Sequence, residues 1–230
     1  MTDVTFAEFV EQRFGKLESG SHTPDGAACF HEALNIYQGK PWSDDTSGTL
    51  SLIGLNDAPW SSDAVRTEHM LPLGSIILAW PSWSTEKRQA WAKVVATETI
   101  RQILPLALRA LAERVPAVAP DLIAAALRCE TTPNRSAARS AAASAATAAA
   151  WSTAEAAADA AAVSAAAWTA ESAAEAAAEA ESLSAAAAAW AAEASATMTA
   201  WSATTTADAA ADAADQQLIA LCKLMVEAAR

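Results

Sequence analysis

Beyond Pro133 the chain runs for 97 residues without a glycine or a proline, and 44 of the 78 positions from 137 to 214 are alanine. Alanine is the strongest helix former because it gives up no side-chain entropy and does not compete for backbone hydrogen bonds. The stretch is therefore expected to be helical. It offers almost no side chain from which to build a conventional core. Its packing must come from close backbone approach or from the few large residues that interrupt it. These are Trp151, Trp168, Leu183, Trp190, Met198 and Trp201, followed by an apolar stripe of Leu218, Cys222, Met225 and Ala229. A single rod would reach about 145 Å at ~1.5 Å per residue and leave the tryptophans in water. A hairpin or bundle buries them, and that is the expected architecture, with the large residues setting the packing register.

Charge divides the chain at the same place. Residues 140–222 hold ten acids and no lysine or arginine, whereas 1–139 hold 16 acids and 13 basic residues. Two regions are expected, a helical head over 1–133 and an alanine-rich acidic helical region over 134–230. The net charge of −12 argues against a chain held on nucleic acid or an acidic membrane by a basic surface. Cys29, Cys129 and Cys222 are odd in number and about a hundred residues apart, which fits neither a disulfide framework nor a zinc motif. The opening MTDVTFAEFVEQ has an early acid and no apolar run of the signal-peptide kind. The longest strongly apolar stretch, SIILAW at 75–80, falls far short of the ~20 residues that cross a bilayer. A soluble cytoplasmic chain is expected, with no membrane partner.

The head reads as a string of short helices. Thr5-Phe-Ala-Glu8 fits a capping box, and Phe6, Phe9, Val10, Phe14 and Leu17 follow at helical spacing up to Gly20. Thr23 and Pro24 open a second helix expected to run to Tyr37 or Gln38 and stop at Gly39. A turn at Pro41-Trp-Ser-Asp44 precedes a weaker helical stretch around 48–56. Ser62 or Asp63 starts another helix, and Ser84 caps a longer one over 85–104 that Pro105 kinks or ends. Pro120-Asp121 opens the last helix before the alanine-rich region, after Pro116 has closed the stripe Leu104, Leu108, Leu111 and Val115. No segment alternates convincingly with β-branched residues, so the fold class is all-α.

The densest polar cluster is SHTPDGAACFHE at 21–32. On a helix opening at Pro24, Asp25, Cys29 and Glu32 would share one face, with His22 in the loop before it. A nucleophilic cysteine needs a base to form thiolate and a third group to orient that base, and Cys29, His22, Asp25 and Glu32 supply those residue types. The simpler reading makes Cys29 a small core residue, Asp25 a favourable charge at a helix start, and Glu32 an acceptor for the backbone of the 42–44 turn. His22, Asp25, His31 and Glu32 do not make a metal site, because the two histidines cannot share a helix face. Trp42, Ser43, Asp44, Asn56 and Arg66 are the residue types of a binding surface. For Trp42, Trp60, Trp80, Trp83 and Trp91, core packing is the simpler use. No phosphate-cradling glycine loop, GxSxG or HExxH motif is present, and no cofactor is expected.

At HTPDGAACFHEAL (22–34), GKPWSDD (39–45), LND (55–57) and RTEHMLPL (66–73) the chain resembles a family of bacterial and bacteriophage proteins without an established activity. Its members look like PDG-x-AC-x-x-EA, then G-x-PWSD, then an ND and a basic residue before a leucine-proline stretch. An alanine- and tryptophan-rich helical region follows and closes on a leucine-rich amphipathic helix, here QQLIALCKLMVEAAR at 216–230. The composition of the helical region is also similar to that of some bacterial proteins assigned an immunity role. Together these readings lead to a non-enzymatic helical protein that binds a protein partner or itself, without direct nucleic-acid contact, in a bacterium or a phage infecting one. The alternatives are an enzyme or small-ligand binder around Asp25, Cys29 and Glu32, and an acidic nucleic-acid mimic or immunity-type inhibitor.

Overall fold

The computed structural model describes residues 4–20, 22–24, 26–46, 50–58, 60–150 and 207–230. Asp25 and the large residues Trp151, Trp168, Leu183, Trp190, Met198 and Trp201 lie outside the described residues. Within them the fold is all-α, and the only β pairing is an isolated bridge between Leu17 and Ala28. No helix among the described residues is long and apolar enough to cross a membrane.

Helix α1 (Phe6–Arg13) opens on the expected capping box. The Thr5 hydroxyl accepts from the Glu8 N–H (3.3 Å) and the Glu8 carboxylate accepts from the Thr5 N–H (2.7 Å). The helix ends earlier than Gly20, because Gly15 already takes a left-handed φ of 74° that breaks it. The second helix differs more. Instead of opening at Pro24, the chain closes a turn in which the Gly26 N–H bonds the Thr23 carbonyl (3.1 Å), and α2 spans only Phe30–Tyr37. Proline second and glycine fourth is a turn signature that competes with proline in a first helical turn. Cys29 is extended and caps α2, so it does not share a helix face with Glu32.

Short α3 (Ile53–Asn56) is all that forms of the weak stretch around 48–56 among the described residues. Helix α4 (Asp63–Met70) starts at the expected Ser62 cap, and α5 (Gly74–Ala79) follows a 3₁₀ turn. Helix α6 (Thr85–Glu98), capped by Ser84, continues through a π turn over Thr99–Ile103 into α7 (Leu104–Arg114). Pro105 explains the π turn. It has no N–H to give and its ring would collide with the carbonyl four residues back, so the helix widens before it. The resulting rod is about 45 Å long at ~1.5 Å per residue and runs through both cores of the molecule.

The first core gathers Phe6, Phe30, Leu34, Met70, Ile77, Trp80 and Trp91 from the head. Leu218, Leu221, Cys222 and Met225 of α10 (Ala207–Ala228) complete it. The Trp91 indole donates to the Met225 carbonyl (3.0 Å), and the buried Asp215 carboxylate accepts from the Ser61 N–H (3.0 Å) and hydroxyl. The end of the expected second region thus packs inside the core of the first. The second core joins α7, α8 (Ala119–Thr131) and α9 (Arg135–Ala150). On α9 the buried face is Ala137, Ala138, Ala141, Ala145 and Ala148, so here alanines themselves make the packing surface. Both described ends of the alanine-rich region, α9 and α10, pack on helices of the head, and the expected hairpin between them lies outside the described residues.

Candidate functional site

The polar residues singled out in the sequence converge at the start of α2. Glu32, only 2 % exposed, is the hub. Its carboxylate accepts from the His22 N–H (2.8 Å), the Cys29 N–H (2.8 Å) and His22 Nδ1 (3.0 Å). In return the Glu32 N–H donates to the Cys29 sulfur at 3.4 Å. This is a capping box with sulfur in place of the usual hydroxyl oxygen. Burial alone would raise the Glu32 pKa, but the two backbone N–H groups and His22 outweigh it and hold the carboxyl below its ordinary value.

A second set of bonds ties the surrounding loops to this point. The buried Asn56 accepts from the Phe30 N–H (3.1 Å) and donates to the Glu18 carbonyl (3.3 Å) and to Asp57 (2.9 Å). Arg66, also buried, donates through Nε to the Asn56 carbonyl (2.8 Å) and pairs with Asp63. Asn35 donates to the carbonyls of Ser43 (2.6 Å) and Asp45 (3.1 Å), and the Trp42 indole donates to the His22 carbonyl (2.9 Å). The 42–45 turn is therefore held by Asn35, and not by Glu32 as expected. The His31 ring accepts the Leu52 N–H at Nε2 (2.8 Å), which assigns its proton to Nδ1. Burial drives the His31 pKa down to about 4 against the smaller opposing charges of Asp44 and Asp57.

The chemistry open to this junction is narrow. Burial pushes the Cys29 thiol up to about 12, so it is not a thiolate near neutral pH. His22 bonds Glu32 rather than Cys29, so the base a nucleophilic cysteine needs is committed elsewhere. Beside Cys29, His31, Asp44, Asn56 and Asp57 lies a cavity of about 20 Å³, room for one water molecule but not a substrate. Among the described residues no group of three or more His, Cys, Asp or Glu could hold a metal ion. Sequence reasoning brought Cys29, His22, Glu32, Trp42, Asn56 and Arg66 forward and missed Asn35. It also missed the capping role of Cys29, although Cys-x-x-Glu has the spacing of the Ser/Thr-x-x-Glu box.

A different face carries the concave surface. A groove of about 830 Å³ runs between α1, α5 and the end of α10. Phe6, Leu71, Ile76, Leu78, Trp83 and Val226 form most of its apolar wall. Its charged side chains are Lys87 and Arg230, both cationic, and the Lys87 ammonium sits 4.3 Å over the Trp83 ring. Trp83 leans on Trp80 and Trp91 of the first core (centroids 5.4 and 6.3 Å), which fixes the wall to a rigid base. Nothing in the sequence pattern singled out this surface, because it is assembled from segments more than 200 residues apart.

No family model matches this chain, and neither a curated protein nor a solved structure gives a significant match.

Proposed function

We propose that the protein works by binding, through the α1–α5–α10 groove, and not by catalysis at the α2 junction. The observation that carries this reading is the contrast between the two places. At the junction the candidate catalytic groups Cys29, His22 and Glu32 are spent on capping and loop bonds, with room for a single water. The groove has the volume of a ligand site, and its wall combines apolar side chains with two cations. The resemblance of the 22–34, 39–45, 55–57 and 66–73 segments to bacterial and phage proteins supports action inside a bacterial cell, on a partner or on a second copy. Size-exclusion chromatography with light scattering, together with capture from a bacterial lysate, tests the reading. Leu78→Glu, on the groove wall and half-buried, should abolish the assembly or the captured species, and Lys93→Glu on the exposed side of α6 should not. Equal behaviour of both variants and the parent chain would overturn it.

The competing reading, an enzyme or small-ligand binder at Asp25, Cys29 and Glu32, draws on one observation. His22 is oriented by a buried carboxylate, as general bases are. Asp25 lies outside the described residues, and Cys29 at 4 % exposure offers little access. Rapid alkylation of Cys29 at neutral pH would favour that reading.

A further inference from the structure

We infer that the groove takes a single-chain amphiphile with an anionic head, a free long-chain fatty acid. The inference rests on the binding reading above and names the occupant. Three features converge. The wall from Phe6 through Ile76, Leu78 and Val226 is apolar and suits a hydrocarbon tail. The charged side chains on it, Lys87 and Arg230, are both cationic and complement an anionic head. The Lys87 ammonium is held over the Trp83 indole, which places a positive charge where tail-binding wall meets solvent. The volume of about 830 Å³ lies within the ~300–1,000 Å³ of small-ligand sites.

Titration of the full chain with oleate, followed by displacement of fluorescent cis-parinarate, tests this. One equivalent of oleate should bind, and oleyl alcohol should bind more weakly. Lys87→Glu should weaken oleate about three- to tenfold, the scale of replacing an exposed ion pair by repulsion. Leu78→Glu should abolish binding while the melting transition is retained, and Lys93→Glu should leave affinity unchanged. No oleate binding, equal affinity for the alcohol, or indifference to Leu78→Glu would overturn the proposal. So would binding to phosphatidylglycerol vesicles without binding to monomeric oleate, which would make the source a membrane surface. If oleate fails but Leu78→Glu still disrupts assembly or capture, the binding reading stands and the fatty-acid occupant falls.

Discussion

At the residue scale the α2 junction is held by acceptors placed for donors that water cannot reach. Glu32→Gln keeps the shape but replaces one carboxylate oxygen with an NH₂ facing N–H groups. A loss of about 2–4 kcal/mol is expected, and urea denaturation measures it. The same site predicts a pH dependence with two windows. His31 is depressed from 6.5 to about 4, so the unfolded chain takes up its proton first as pH falls. Its contribution is fully present above pH 6.5 and is lost between there and pH 4, a total of roughly 3 kcal/mol. Glu32 is also depressed, and its contribution persists above its unfolded value near 4.5 and disappears only below it. Denaturation curves from pH 7.5 to 4.5 should therefore steepen their loss in the parent chain and be flatter in His31→Gln. Identical profiles would remove His31 as the cause. Gly74 is set by space and not by backbone freedom. A Cβ there would overlap the buried Phe6 ring, and Gly74→Ala should cost about 1–3 kcal/mol by overpacking, read from the same unfolding curves.

At the scale of elements, α9 shows how a helix with almost no side chains is held. Its alanines at 137, 138, 141, 145 and 148 recur at three- and four-residue spacing and are buried on α7 and α8. A larger side chain on that stripe must push the helices apart. Ala141→Leu should destabilise by about 1–3 kcal/mol, whereas Ala143→Leu on the exposed side should stay within about 0.5 kcal/mol. Thermal melts of the pair decide whether the stripe sets the packing. The α7–α8 hairpin is further tied by Arg109, which grips both carboxylate oxygens of Glu130. That pair is partly exposed, so it orients the helices and contributes little stability.

At the scale of the whole molecule, α10 matters most, because it closes a core otherwise built from residues between Phe6 and Ile103. Leu221 is fully buried there, and Leu221→Ala should cost about 2–5 kcal/mol. Leu127, half exposed on α8, is the comparison, and its replacement by Ala should cost less than about 1 kcal/mol. Chemical denaturation of the two variants tests whether the last helix is integral to the head. The groove depends on the same docking, since Val226 and Ala229 line it. A Leu221 variant should therefore weaken the proposed oleate binding along with stability.

Local chemistry determined much of this protein from sequence alone. The all-α class, the caps at Thr5, Ser62 and Ser84, and the break before Pro116 follow from hydroxyl spacing and from what proline and alanine do to a backbone. The apolar stripe Leu218, Cys222 and Met225 was legible too, as a face that needed covering. What covers it was not, because a stripe specifies that it must be buried and not against which partner. The late start of α2 was decided by tertiary structure as well. Pro24 is compatible with both a helix start and a turn, and the bonds from Glu32 and Asn56 to residues 22, 29 and 30 select the turn. Asn35 carries no sequence signal, since its partners are carbonyls that any residue supplies. The groove was the least legible feature, because its walls come from opposite ends of the chain and only the docking of α10 brings them together.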